Sequence, residues 1–530
     1  MANPSLQIGN GKWAIKEDNL LGYSKAGTRF VPEPITMTRA SAGTRVNPEG
    51  LVESVELLGS EEVTNGDFAT DSNWTKGTGW TISGGSANSD GTLDVGISQG
   101  FSINGNTRLQ ISFNIINSTG ISNVRLRTFP SVTTIVTAIG DGYYSVEFLE
   151  ASNITAIQFY TTSLSTGTYS LDNVSVKEST KNNLARVDYD GTASSLLAEP
   201  ERTNLITYSE DFSQWIASGS MTVGNSSSVA SPSNENSVGI MTGTTGTTSK
   251  FARIDVTTTS QTHTYSAFFK YNTQQFVQFA SGGTSEYANF DIQNGVVGNK
   301  LSSVTSTIES FGNGWYRCTL STSVASQPSN MAAVLIDSAT SARLSSTSST
   351  NSLYIWGASL EEGSYPTSYI PTDGSTVTRV QDQYSKTGIS NLIGQTEGTL
   401  FVDVDFDTLS GLNMFLSMRP NSSNKIEIYR DGNLIYGEIA SSTSFSFIKT
   451  GVTVGRYKIA FAYSSGSSAM YINGDLILSN STSFAFTSTL NDLYVGSRGG
   501  TSFIEQAKYN DIKLYKTRLL NSELATLTTI

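Results

Sequence analysis

The 530-residue chain holds one histidine, His263, and one cysteine, Cys318, so imidazole and thiol chemistry are each confined to a single position. A lone cysteine closes no intramolecular disulfide, and zinc sites built from Cys and His need more ligands than these two residues supply. A Ser-His-Asp centre would have to form around His263. That residue lies in "TSQTHTYSAFF", an alternating run that reads as a strand, and no G-x-S-x-G elbow accompanies it. We therefore expect a structural histidine. No G-x-x-x-x-G-K-S/T phosphate loop occurs. Acidic side chains cluster in "FVDVDFD", where Asp403, Asp405 and Asp407 share one side of a strand because side chains alternate with period two. Leu400, Val404 and Phe406 take the opposite, core-facing side, so an acidic outward face is expected. Glycoside hydrolysis needs two carboxylates facing each other across the scissile bond. Nothing in the sequence pairs two in that way, and no enzyme is expected. Sugar binding needs exposed rings, and Trp80 and Trp74 in "NWTKGTGW" are the candidates.

The elements that must hold these residues are strands. Charged residues make up only 15% of the chain and Gly numbers 48, so Ser, Thr, Asn and Gly carry most of the polar surface. "RLQISFNII", "YYSVEFLEA", "TYSAFFKY", "WYRCTLSTS" and "YKIAFAY" alternate apolar and polar residues between turn formers, the pattern of half-buried antiparallel strands. The net charge of -12 argues against nucleic acid as a partner, because phosphate neutralisation needs clustered Lys and Arg. No run reaches the ~18 apolar residues of a membrane span. The opening residues lack the apolar core of a secretory signal, so export by that route is not expected.

An internal repeat is legible. "VTNGDFATDSNW" (63–74) resembles "ITYSEDFSQW" (206–215), "GDGYYSVEF" matches "GNGWYRCTL", and "YSLDNVSVKE" matches "LYIWGASLEE". Trp74 thus has a counterpart in Trp215, whereas Trp80 has none and is the better surface candidate.

The first copy, "NGDF…W…SLDNVSV", is similar to jelly-roll carbohydrate-binding modules. That resemblance implies a structural calcium near Asp67 and Asp172, with a turn-capping role for Asp67 as the alternative; no other cofactor is expected. "GTLFVDVDFD", "YKIAFAYSSGSSAMYINGDLIL" and "YNDIKLYKTRLLNSELATLT" resemble a concanavalin A/laminin-G-like sandwich ending in a short helix. There Asn521 is the expected N-cap, with Leu519, Leu520 and Leu524 buried. "MTRASAGTRVNPEGLVESV", "NNLARVDYDGTASSLLAEPERTNLITYSEDFSQW" and "QYSKTGISNLIGQTEGTLFV" together resemble a recurring module of tailed-bacteriophage virion proteins. Its first two pieces are separated here by a sandwich, so Val46 and Val52 are expected to pair with Val187 and Tyr189 when the chain returns.

The expected fold is all-β: two jelly-roll-like antiparallel β-sandwiches and one concanavalin A/laminin-G-like sandwich, with an extended N-terminal arm. The expected organisation is 1–59 arm and platform strands, 60–180 inserted jelly roll, 181–203 return strand and junction, 204–382 second jelly roll, and 383–530 the last sandwich. Trp13, Ile15, Leu20, Leu21, Tyr23 and Phe30 are candidate anchors of the arm in a capsid or tail protein, with packing against the chain's own first sandwich as the alternative. The resemblance implies a fibre, spike or decoration subunit on the exterior of a virion. Such a subunit would be a homotrimer or other homo-oligomer, weakly and multivalently binding host-surface polysaccharide. A bacterial carbohydrate-binding or glycan-degrading protein, and a ligand-free capsid cement, are the alternatives.

Overall fold

The computed structural model describes residues 2–9, 14–16, 19–26, 29–92, 95–120, 124–131, 134–138, 140–161, 167–235, 237–500, 502–504 and 506–530. Residues 14–16, 19–21, 23–26, 29–30, 138 and 150 are described by backbone alone. Almost all of the regular structure is antiparallel β, and the one α-helix among the described residues is Asn521–Thr528. Two compact units divide the chain: Glu56–Lys181, and Met1–Val55 with Asn182–Ile530.

Glu56–Lys181 is a sandwich. One sheet runs Gly142–Glu150, Thr107–Thr119, Thr168–Thr180, Ser86–Ser89, Trp80–Ser83, with Leu57–Glu61 also on Thr168–Thr180. The other runs Thr134–Ala138, Val124–Phe129, Ile154–Thr161, Gly96–Ile103, Thr75–Lys76. Period-two alternation drives the packing: Leu109, Ile111, Phe113 and Ile115 are all buried against Leu126, Ile157 and Phe159.

Residues 204–376 carry a second sandwich of the same strand order. Its sheets run Met221–Ser226, Val238–Gly243, Ser352–Glu362, His263–Tyr271, Trp315–Thr322, Val304–Ser310 and Ile216–Ser218, Lys250–Asp255, Asn330–Ile336, Phe276–Ala280, Tyr287–Asp291, Val296–Lys300. Val296–Lys300 and Val304–Ser310 are additions at the sheet edges; the remaining strands match the first sandwich in chain order and in neighbours. Even a defect is shared. The closing strand bulges at Asn173 (φ 51) between the pairs Ser112↔Ser175 and Asn114↔Asp172. Its counterpart bulges at Gly357 (φ 59) between Ser266↔Ser359 and Phe268↔Trp356. Both positions need a left-handed backbone, which Gly and Asn adopt most readily.

The Asp-Phe…Trp repeat is a core plug. Phe68 and Trp74 lie 5.1 Å apart at 41°, and Phe212 and Trp215 lie 5.1 Å apart at 39°. Each indole N–H donates to an upstream carbonyl, Trp74 to Asn65 at 3.0 Å and Trp215 to Tyr208 at 3.0 Å.

The last sandwich is assembled from three stretches of chain. Ala507–Tyr515 pairs along one edge with Leu6–Gly9 and Ala193–Ala198, and along the other with Glu397–Phe406. Gly455–Ser464, Ser468–Ile472 and Asp475–Asn480 extend that sheet. Opposite it, Gln383–Lys386 joins Arg29–Thr38 to Leu493–Val495, followed by the strands from Leu412 to Lys449. Leu6, Ile8, Ile35 and Met37 are buried in the same core as Leu400, Val402 and Leu514. The expected extended arm is thus a set of paired strands within the chain's own sheets, because its alternating apolar residues complete an otherwise open core. The sandwich is interrupted twice, by 56–181 and by 205–376. The second interruption leaves and returns through a short ladder, Arg202↔Arg379 to Asn204↔Val377.

Two local expectations are corrected. Val46 pairs with Val52, whereas Val187 pairs with Leu196 and Tyr189 with Ser194; the 44–54 segment closes as its own hairpin and meets the return strand through Val46 N–H to Asp188 Oδ1 at 2.7 Å and Arg45 Nη1 to the Val187 carbonyl at 3.5 Å. Asn521 is the first helical residue, and Leu520 precedes it as the cap, with its N–H donating to Glu523 Oε2 at 2.9 Å. Leu519 and Leu524 are buried, but Leu520 is 66% exposed.

Candidate functional site

"LLAEPERTNL" begins as the strand Ala193–Ala198 and then delivers Glu199 to a buried ionic cluster. Glu199 accepts from Arg186 Nη1 at 2.7 Å and from Arg379 Nη1 at 2.9 Å. Asp382 accepts from Arg39 Nη1 at 2.7 Å and from Arg186 Nη2. Ser368 donates its N–H (2.8 Å) and its hydroxyl (2.7 Å) to Glu199. Arg39, Arg186 and Asp382 are 0% exposed. Burial alone would raise the Glu199 carboxyl, but Arg379 and Arg186 more than offset it and hold the group far below the usual carboxylate range. Asn204, also fully buried, donates to the Ala358 and Ile370 carbonyls and accepts from the Ile206 N–H. Asn204 thus holds the turn through its side chain. Arg202 does not pair with Glu199; it donates to the Glu201 carbonyl and sits over the Tyr365 ring.

Beside this cluster lies a cleft of ≈ 140 Å³, room for on the order of ten waters. One wall is aromatic, with Phe268, Phe311 and Tyr369 from the second sandwich. The other comes from the last sandwich, with Asp405, Asp407, Gln506 and Lys508. Arg45, Asp188, Glu309 and Arg317 contribute further charge. Most of these charges are committed. Lys508 pairs with Asp188 at 2.7 Å, Arg45 with Glu53 at 2.8 Å, and Arg317 donates to the Thr367 carbonyl at 2.7 Å. Burial raises the Asp405 carboxyl, opposed by Lys508 and Arg456. Asp407, at the exposed lip, is also raised, first by the surrounding protein and further by Asp405 and Glu309, against Lys508. Asp403, the third member of the acidic run, is instead taken up by a two-pronged pair with Arg456 at 2.7 Å and 2.7 Å.

The candidate rings are elsewhere. Trp80 is 5% and Trp74 6% exposed. Trp80 meets the Tyr169 ring edge-on at 5.4 Å and donates to the Val95 carbonyl at 3.2 Å, so neither indole offers a face to a sugar. The glycines around Trp80 made it look exposed, but Gly79 (φ 84) and Gly84 (φ 66) serve tight turns that fold the ring inward. Asp67 accepts from the Ala69 N–H at 3.4 Å and Asp172 from the Asn173 N–H at 2.7 Å, which is local turn chemistry. No group of three or more His, Cys, Asp or Glu able to hold a metal occurs among the described residues. Trp13 lies outside the described residues. Ile15, Leu20, Leu21, Tyr23 and Phe30 lie on paired strands described by backbone alone.

His263 is fully buried on its strand. Burial lowers its pKa against the opposing pull of Glu362. The unfolded chain then binds the proton first, so stability is complete above the ordinary value of 6.5 and falls as pH drops below it. His263→Gln is expected to flatten the stability–pH curve between about pH 6.5 and 5, read by denaturant titration; an unchanged slope would refute this.

No protein-family profile and no curated protein sequence matches the chain. Among solved structures, the carbohydrate-binding module of the Ruminococcus gnavus IT-sialidase bound to α2,3-sialyllactose is similar at 15% identity, covering 27% of this chain and 91% of that one, TM-score 0.25. Domain 4 of the Geobacillus stearothermophilus arabinanase AbnA, with arabinotriose, is similar at 16% identity, covering 32% and 83%, TM-score 0.25. The receptor-binding domain of botulinum neurotoxin type G is similar at 14% identity, covering 27% and 41%, TM-score 0.21. Likeness this low speaks to neither ligand nor activity.

Proposed function

We propose that this chain is a non-enzymatic glycan-binding subunit of a bacteriophage virion, acting at the particle surface through weak sites repeated over many copies. The observation that carries the glycan reading is the cleft in which half-buried Phe311, backed by the buried Phe268 and Tyr369, stands on one side and Asp405, Asp407 and Gln506 on the other. An apolar wall facing a few hydrogen-bonding groups is the lining that a saccharide needs. Small openings of this kind give low affinity singly, and copy number supplies the avidity. Support for the virion setting is the sequence resemblance of the 37–55, 182–215 and 383–402 stretches. Assembly as a homotrimer or other homo-oligomer, and attachment to a capsid or tail protein through Trp13, Ile15, Leu20, Leu21, Tyr23 and Phe30, belong to the same reading. Because the described strands within 6–38 are paired within the chain, such anchoring would act through a built-in hairpin.

The test is a glycan array probed with the full chain, wild type and Phe311→Ala. We expect binding to a subset of bacterial surface glycans, weakened at least about tenfold by the substitution. Absence of binding by the assembled protein would leave the cement alternative. Incubation with a bound polysaccharide is expected to release no reducing ends; their appearance would replace the reading by an enzymatic one. Antibody against 395–530 is expected to decorate particles by electron microscopy.

A further inference from the structure

Three carboxylates of the cleft, Glu309, Asp405 and Asp407, form no ion pair among the described residues, whereas the cleft's cations are engaged with Asp188, Glu53 and a backbone carbonyl. A second observation is independent of that acidity. Gln506 is 7% exposed and lines the same cleft. Its Nε2 donates to the Pro366 carbonyl at 2.9 Å, and its Oε1 is buried without a partner. An orphaned buried acceptor costs free energy unless a donor arrives from outside. The three carboxylates and Gln506 Oε1 are free acceptors of the cleft; Arg317 Nε is a buried donor there without a partner, and the acceptors outnumber it, so an incoming donor that carries positive charge would satisfy them.

We propose that the cleft selects saccharide residues bearing a free, protonated amino group, with the ammonium between Asp405 and Asp407 and a further N–H or O–H reaching Gln506 Oε1. This rests on the glycan reading above and narrows it. An ammonium satisfies several acceptors at once and offsets the desolvation of the two aspartates. Phe311, the partly exposed ring of the aromatic wall, faces the apolar side of the sugar. N-acetylation removes the charge and enlarges the group, so acetylated residues are disfavoured.

The experiment is calorimetric titration of the full chain with oligosaccharides of equal length built from glucosamine, N-acetylglucosamine or glucose, at about pH 6, where amines are protonated and ordinary carboxylates ionised. We expect the glucosamine oligomer to bind about tenfold or more tightly than the other two. That preference should vanish in Asp405→Asn/Asp407→Asn and persist in Asp475→Asn, a distant exposed acid, while Gln506→Leu should weaken all three oligomers alike. Denaturation curves of each variant confirm that it is folded. Equal binding of neutral and amine-bearing oligomers overturns the selectivity and leaves the glycan reading standing. Binding of none of the three also overturns the selectivity, and the glycan array then decides the glycan reading separately.

Discussion

Asp382→Leu is expected to lower the unfolding free energy by about 3–5 kcal/mol, the usual cost of removing one partner from a buried ionic network. Asp382 accepts from Arg39, Arg186 and the Glu199 N–H, the last at 3.0 Å. Without it, Arg186 and Arg379 are left sharing Glu199, and Arg39 loses its carboxylate partner. Arg39→Met added to Asp382→Leu should recover part of the loss, because a matched apolar replacement no longer strands a charge. Denaturant unfolding reads both variants; a double variant no better than the single would show that the network does not act as a unit. The acid limb of stability has a defined sign. Glu199 titrates lower in the folded state than its ordinary value of 4.5, so its contribution is complete above that value and is lost progressively as pH falls below it. Glu361 works against this: burial raises its carboxyl, so it gains a proton in the folded state first. Glu199→Gln should therefore flatten the acid limb while lowering stability at neutral pH.

The repeat was legible because it is local. An aspartate, a phenylalanine and a tryptophan within a dozen residues fold into the same plug in both sandwiches, and the positive-φ bulge is marked by Asn in one and Gly in the other. The interrupted sandwich was not legible for the opposite reason. Leu6–Gly9 pairs with residues 511–514, and no short-range signal marks a partner five hundred residues away. The amphipathic segment at the start of the chain therefore read as an arm in search of a foreign groove. The ionic cluster was half visible: Arg39, Arg186 and Arg379 each sit next to small or apolar residues in "TRAS", "LARV" and "TRVQ", a setting in which an exposed arginine has little reason to be. Their convergence on Glu199 and Asp382 needs the fold. The cleft was the least legible part, since one wall comes from the second sandwich and the other from the last, segments far apart in the sequence that only the fold brings together.

Phe68→Ala is expected to destabilise Glu56–Lys181 by about 3–5 kcal/mol and to leave the other unit's transition in place. Phe68 is 1% exposed and holds a left-handed backbone (φ 49), a conformation tolerated only because its ring fills the gap beside Trp74. Alanine would leave both the cavity and the backbone cost. The neighbouring Gly66 allows no repacking, because a Cβ there would stand 2.0 Å from the Val174 carbonyl oxygen. Two thermal transitions should be seen, the lower one shifted, with protease cleavage confined to 56–181. Phe212→Ala removes the equivalent plug from the second sandwich, which shares a unit with the last one. It is expected to shift the other transition and to expose the cleft's aromatic wall, so it should weaken glycan binding where Phe68→Ala does not. A single transition moved equally by either substitution would mean that the two duplicated sandwiches fold as one body, and that the first is not an autonomous insertion.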